Sequence, residues 1–321
     1  MDNITHSLVG WTLGQTGLKR KTRNGLAALI LGANAPDIDV FLGWVPWAPL
    51  ATHRGFTHSL VGGVLLLPPM LAGLLWLLDR WQVRRGTTFR SGLEMRFGWL
   101  VLLAYIGCIT HPFLDWQTSY AIQLFTPLNR RWYHNDSLFI VDPWIWAMLG
   151  VGIWLSRRRE KRGQANWRRP ALVAAAGVSL YICANGALSA VVRHAPIKDE
   201  PGARPDAMVL SPPPLLFWQR SVTWRQDHLV RFDRYAFDAG WIRDADHQPP
   251  VPDGMNDPLA RRALLMPQVA HFRRWSILPM ASVERNRCSA RVDFQDARFG
   301  RRAARSLLGQ SVTFPTRAPG C

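Results

Sequence analysis

Long apolar segments, joined by connections that are alternately rich and poor in Lys and Arg, constrain this chain more than any other feature. The clearest segments are Leu60 to Leu78, Gly98 to Thr110 continuing toward Trp116, Pro143 to Leu155, and Ala171 to Val192. The first and last approach the roughly 20 residues that cross a bilayer comfortably. Two weaker stretches, Ile4 to Leu18 and Gly25 to Ala35, are short enough for interfacial or buried helices. Lys19, Arg20, Lys21 and Arg23 lie in one connection, Arg80, Arg84, Arg85, Arg90 and Arg96 in a second, and Arg157, Arg158, Arg159, Lys161, Arg162, Arg168 and Arg169 in a third. Together they make 16 of the 19 basic residues before position 193, while the alternate connections, 36–59 and 111–142, hold only Arg54, Arg130 and Arg131. Positive residues collect in cytoplasmic loops. The expected fold is therefore a mainly α membrane helical bundle of about four to six transmembrane helices, with basic loops inside and the alternate connections outside. A soluble helical bundle with basic turns gives no reason for the alternation.

Local signals agree with a bilayer. Trp44, Trp47, Trp81, Trp99, Trp116, Trp144 and Trp167 stand near the expected span ends, as an aromatic belt requires. Pro68-Pro69 should kink the Leu60 to Leu78 helix, which membrane helices tolerate where neighbours satisfy the freed carbonyls. The amino-terminal residues Met1 to His6 have no basic region before an apolar run and do not read as a cleaved signal peptide. Cys108, Cys183, Cys288 and Cys321 form no C-x-x-C pair, so no cysteine zinc site follows from them.

Past a boundary near Val192 the texture changes to short alternating runs broken by Pro and Gly, giving an expected division into residues 1–192 and a C-terminal β-rich extramembrane domain, 193–321. Phe217 to Trp224 and His228 to Asp233 read as strands joined around Gln226-Asp227, Arg291 to Phe294 as another, and Asp257 to Phe272 as a helix. The net charge is +17. In this C-terminal part 20 basic residues face 13 acidic ones, a surplus too diffuse to indicate a specific nucleic-acid partner.

The histidines segregate with the poorly charged connections. His53, His58, His111 and His134 lie in or border them, as do Asp37, Asp39, Asp115, Asp136 and Asp142, and His6 begins the first segment on the same expected side. Ionisable groups at membrane depth or at span ends are costly, so a convergent set is a functional-site hypothesis by default. The hexapeptide Thr5-His6-Ser7-Leu8-Val9-Gly10 recurs letter for letter as Thr57 to Gly62, and Thr110-His111 repeats its core. Thr is a good N-cap, which would set each His in a first helical turn and aim His6, His58 and His111 into one layer. Ala35-Pro36-Asp37-Ile38-Asp39 offers two carboxylates on a proline-bounded turn. His111 and Asp115, at i and i+4, share a helical face, with Pro112 acceptable at a first helical position. Arg54, the lone cation of its connection, suits an anionic group such as a phosphate, or else pairs with Asp37 or Asp39. Asp142 before Pro143 suits an N-cap.

With these residues assembled, the chain resembles the bacterial membrane-bound metal-dependent hydrolases, the YdjM-like inner-membrane family. The matching pieces are Thr5-His6-Ser7, Ala35 to Asp39, His53 to Ser59 and His111 to Trp116; Thr118 to Tyr120 through Phe139 to Pro143, and Asp293 to Phe299, also look like family segments. That family is thought to be distantly similar to zinc-dependent phospholipases C and single-strand nucleases, whose ligands follow the order His, Asp, His, then His-x-x-x-Asp. His6, Asp37, His58, His111 and Asp115 can be laid on that order. The later His ligands and His-x-x-x-Glu of those enzymes have no counterpart at the same spacing, so the resemblance implies one or two metal ions rather than three.

These readings set the expectations. The metal set is His6, Asp37, His58 and His111, with Asp115 bridging and Asp39 or His53 as outer-shell or second-metal ligands; the ion is zinc, or manganese. Asp115, Asp39 and Arg54 are the catalytic candidates, a phosphoester or lipid-type ester is the substrate class, and membrane lipids are the expected partners. No Gly-x-Ser-x-Gly elbow is present. The competing reading is a non-catalytic membrane protein with a structural metal or lipid-headgroup site. Ion transport would instead place carboxylates near the bilayer midplane.

Overall fold

The computed structural model describes residues 1–42, 53–197, 200, 202–242, 249–301 and 308–315. Two compact units divide the chain, one built from Met1–Leu42 and His53–Ala187, the other containing the residues from Leu188 onward.

The first unit is helical. Helix α1 (Asn3–Gln15) starts at Asp2, whose carboxylate accepts from the backbone N–H groups of Ile4 and Thr5. Helix α2 (Gly25–Asn34) runs into a 3-10 turn at Ala35–Ile38 and a short α3 (Asp39–Leu42). A second 3-10 turn, Phe56–His58, leads through a π-helical stretch, Leu60–Leu66, into α4 (Leu67–Arg84). Helices α5 (Phe97–Trp116), α6 (Pro143–Lys161) and α7 (Arg169–His194) complete the set.

Among the described residues, Leu60–Arg84, Phe97–Trp116 and Arg169–His194 are long and apolar enough to cross a membrane. Helices α1 and α2, at 13 and 10 residues, are shorter, and α6 ends in the basic Arg158, Arg159 and Lys161. Met70, Leu74 and Leu77 on α4 and Leu172, Val173 and Leu180 on α7 point outward, and such apolar faces suit hydrocarbon rather than water. Trp44 and Trp47 lie outside the described residues.

The expected kink at Pro68-Pro69 takes another form. Both prolines fall in the first turn of α4, where a missing N–H costs little, and the irregularity sits before them as π-helix. The Leu65 carbonyl, to which residue 69 would otherwise donate, accepts from the Tyr105 hydroxyl of α5 at 3.3 Å. Helix α2 packs against both α1 and α5. A Cβ on Gly107 would meet the Leu29 carbonyl oxygen at 2.6 Å, and one on Gly32 the Ala104 carbonyl oxygen at 2.9 Å. Small residues at that crossing thus let two backbones touch, and the ends of α2 and α5 arrive side by side.

The second unit is β-rich. Strands β1 (Ala207–Ser211), β2 (Gln219–Gln226), β3 (Leu229–Ala236) and β4 (Gly240–Ile242) form an antiparallel sheet in that order, with β5 (Val251–Pro252) also paired to β3. The β2–β3 hairpin turns at Asp227 and His228, both with positive φ, the backbone that a two-residue turn of matching twist demands. The hairpin expected from the sequence is present, its first strand starting two residues later. A second antiparallel sheet holds β6 (Pro279–Arg285), β7 (Ser289–Asp296) and β8 (Gln310–Pro315). The single helix expected over Asp257 to Phe272 is instead α8 (Pro258–Leu264), a 3-10 turn at Pro267–Val269 and α9 (Ala270–Trp275). Pro267 has no N–H to continue the ladder, so the helix stops before it. Leu188 and Val192, on the last turns of α7, join the core formed by Leu210, Val222 and Trp224.

Candidate metal centre

Asp37 reaches the site from the 3-10 turn after α2, His58 from the turn before the π-helical stretch, and His111 and Asp115 from the last turns of α5. His6 arrives from α1 and stacks on His111, ring centroids 3.8 Å apart and 16° between planes. His6, His58 and His111 are fully buried, Asp115 is 1% exposed, and Asp37 is 7% exposed.

Three atoms face one another at near-equal spacing. His58 Nε2 lies 3.1 Å from His111 Nε2, and the nearer Asp37 oxygen is 3.2 Å from the first and 3.3 Å from the second. Ligand bonds of about 2.0–2.1 Å in a tetrahedral zinc site imply ligand-to-ligand edges of about 3.3 Å. The triangle therefore matches one face of such a site. A second triangle shares its His58–His111 edge, with Asp115 Oδ2 at 3.4 and 3.5 Å from the two nitrogens. His6 Nε2 is 3.4 Å from the other Asp115 oxygen.

Unsatisfied polar atoms at the centre point the same way. Neither ring nitrogen of His6, nor Asp115 Oδ2, makes a hydrogen bond although all are buried, a costly condition for groups with no ligand to serve. His111 Nδ1 lies 2.7 Å from the Ala33 carbonyl oxygen, which can only accept, so this nitrogen donates and Nε2 presents its lone pair. The donor set thus fits a divalent ion, and three groups can each hold one: Asp37, His58 and His111; His6, His111 and Asp115; Asp39, His53 and His58.

Asp39 takes an outer position. Its carboxylate lies 2.8 Å from His53 Nδ1, accepts from the Thr57 hydroxyl at 2.5 Å, and approaches His58 Nδ1 at 3.4 Å, on the far side of the ring from the triangle. Burial alone would raise this carboxyl, but the hydrogen bonds from His53 and His58 outweigh it and hold Asp39 well below the usual carboxylate range. His53 also approaches Asp37, at 3.8 Å.

Arg54 does not pair with Asp37 or Asp39. Its guanidinium donates to Asp115 at 3.4 Å and to Thr118 Oγ1 at 3.2 Å and stands over the Tyr120 ring. Positive φ at Arg54 turns the chain so that His53 and Arg54 serve different sides of the cluster. The amino terminus of Met1 also contacts Asp115.

The threonine-cap expectation fails while the layer it implied is formed. Asp2 caps α1 with Thr5 inside the helix, Ser59 rather than Thr57 caps the stretch after His58 by accepting from Gly62 N–H, and Thr110 lies deep in α5, bonded to the Gly107 carbonyl. His111 is consequently near a helix end instead of a start, and Pro112 is inside the helix. The rings still converge because α5 finishes where α1 begins. His134 and Asp136 pair with each other at 2.7 Å and belong to none of the three groups. Asp142 caps α6, as its place before Pro143 suggests, and accepts from the Tyr181 hydroxyl. Thr57 was expected as a helix cap and serves instead as a donor to Asp39; Thr118 and the Ala33 carbonyl were given no role from the sequence, and a backbone carbonyl leaves no signal there.

A membrane protein whose helix ends enclose a buried His and Asp cluster able to hold a metal ion is the class that this arrangement defines. The family model of the YdjM inner membrane protein matches residues 1–191, and the chain belongs to that family. Asp293 to Phe299 falls beyond the matched residues. No curated protein and no solved structure matches the chain.

Proposed function

We propose that this protein is a metal-dependent hydrolase of the bacterial inner membrane, acting on a phosphoester or lipid-type ester at the outer face. The observation that carries the reading is the triangle of His58, His111 and Asp37, with edges of 3.1, 3.2 and 3.3 Å beside buried, unbonded imidazole and carboxylate atoms. Zinc suits imidazole and carboxylate donors at this spacing, with manganese the second choice. Bound there, a divalent ion would supply Lewis acidity and a water of lowered pKa.

The chain's own residues have separable tasks in this reading. Asp37, His58, His111 and His6 would hold the metal, with Asp115 placed beside them to share a second ion. Asp39 and the Ala33 carbonyl fix the ring orientations of His58 and His111 through their Nδ1 atoms. Arg54, steadied by Thr118, presents a guanidinium to the substrate's anionic oxygens. Asp39 and His53, the more open edge of the cluster, face the side from which a substrate enters; His53 is 20% exposed. The basic connections support an inside face opposite the centre, with up to six crossings and the C-terminal domain in the periplasm. Cys288 is disulfide-bonded, a state that persists in oxidising compartments and supports the same side.

Complete burial of three histidines favours one other reading, a closed structural ion without turnover. Elemental mass spectrometry of the detergent-purified protein, beside His58→Ala and His111→Ala at matched folding, tests both. Near-stoichiometric zinc or manganese lost in the variants establishes the site, and phosphoester turnover lost in Asp115→Asn separates hydrolase from structural ion. Metal-free, well-folded wild type after reconstitution overturns both.

A further inference from the structure

The β-rich unit exposes its apolar side chains at one end of its first sheet. Leu215, Leu216, Phe217 and Trp218, between β1 and β2, are 55%, 36%, 37% and 37% exposed, and Phe237, at the β3–β4 turn, is 74% exposed. The Phe237 N–H donates to the Trp218 carbonyl, so the two turns form one tip. Four consecutive large apolar residues have no reason to face water, and a contiguous patch of this kind marks an interaction surface.

Its place relative to α7 identifies what it meets. Arg220, fully buried, donates through Nε to Ser189 Oγ on α7 at 2.9 Å and through Nη1 to the Phe217 and Gln219 carbonyls, each at 2.7 Å. One guanidinium thus pins the tip to Ser189. From Arg169, the last residue of a basic connection, to Ser189 is 20 residues, a rise of about 30 Å, which is the thickness of a bilayer's hydrocarbon core. A helix whose Arg169 lies at one boundary therefore brings Ser189, and the tip with it, to the other. Phe and Trp are suited to that zone, and Pro212, Pro213 and Pro214, just before the tip, have no N–H groups to leave unsatisfied there.

We infer that the Leu215–Trp218 loop and Phe237 insert into the bilayer interface at the end of α7, making the β-rich unit a membrane-seated domain and not a freely tethered one. The occupant is the lipid surface that α7 itself crosses. This does not depend on the metal centre.

The test uses the full chain in phosphatidylglycerol/phosphatidylethanolamine vesicles in a Cys183→Ser background. An environment-sensitive fluorophore is placed at Leu216→Cys or, as a control, at Asn286→Cys in the exposed β6–β7 turn. Blue-shifted emission, loss of quenching by aqueous iodide and gain of quenching by interfacial brominated lipid at 216 but not at 286 are expected. Equal iodide quenching at both positions overturns the inference, as does a position-216 signal that is protected without brominated-lipid quenching and changes with protein concentration, which indicates a second protein copy. A nitroxide at Phe237→Cys, read by oxygen against aqueous nickel accessibility, gives the same decision if the 216 variant folds poorly.

Discussion

Asp39 and Asp37 stand two residues apart, and the geometry gives them unequal work. Asp37 offers an oxygen to the two Nε2 atoms at 3.2 and 3.3 Å, whereas Asp39 faces the Nδ1 side of His58, at 3.4 Å, the Nδ1 of His53, at 2.8 Å, and the Thr57 hydroxyl. Asp37→Asn deletes a charged donor. Asp39→Asn leaves every donor of the triangle in place and replaces the charged acceptor beside His58 Nδ1 with a neutral amide. Loss of such an outer partner costs about 10–100-fold in metal affinity, equivalent to about 1.4–2.7 kcal/mol at 1.4 kcal/mol per decade. Competition against a chromophoric chelator in detergent, with far-ultraviolet dichroism as a check on folding, measures both variants. Asp39→Asn should fall within that window and Asp37→Asn well below it. Equal losses would make Asp39 a direct ligand and sink the division of roles, and an unchanged Asp39→Asn would show that His58 needs no orienting partner.

Arg54→Lys keeps the charge but loses the fork, so inorganic phosphate should bind the metal-loaded protein more weakly by about 1.5–3 kcal/mol, the value of a hydrogen bond to a charged group; unaltered titration calorimetry would remove Arg54 from substrate binding. Tyr105→Phe deletes the donor to the Leu65 carbonyl and should destabilise the helical unit by about 0.6 kcal/mol, the average for such bonds in membranes; no change in detergent-induced unfolding would mean that the carbonyl finds another donor. In the β-rich unit, burial would raise the Asp296 carboxyl, but Arg298 at 2.8 Å and the Ser276 hydroxyl outweigh it and hold it below the ordinary value. A depressed carboxylate contributes stability that is present above its unfolded pKa of about 3.9 and is lost as pH falls toward the folded value. Hydrogen exchange in β6 and β7 should therefore accelerate below that pH in wild type, less steeply in Asp296→Asn, while Arg298→Ala, which strands a buried charge, should cost about 3–5 kcal/mol at neutral pH.

The grouping of the site residues was the part legible in the sequence. Apolar length and the alternation of Lys and Arg were enough to group His6, Asp37, His58 and His111 from four separated stretches, and the structure brings them within a few ångströms. What failed was local. Thr5, Thr57 and Thr110 look like three caps because capping preference is a property of the residue, while the cap actually used depends on which neighbour reaches the free N–H groups: Asp2 in one case, Ser59 in another. Pro112 was given to a helix start because an interior proline forfeits a bond, a local cost that the packing of α5 overrides. The β2–β3 hairpin was readable from its alternating runs, with the turn expected one residue early, around Gln226-Asp227 instead of Asp227-His228, and the break at Pro267 was missed although the proline rule predicts it. Phe217 and Trp218 were read as the start of a strand because alternation alone cannot separate a strand from the apolar loop before it.

The close approach of Gly32 and Gly107 has a consequence in time. His6 leaves the ribosome more than a hundred residues before Asp115, an interval of roughly 5–20 s at ordinary elongation rates. Until α5 has been made and has packed against α2, His6 and Asp37 lack the His111 and Asp115 that complete their two groups. The centre is thus completed by α5, the last of its own helices to be made, and an ion is held in full only once α1, α2 and α5 have met, with α6 and α7 still to follow.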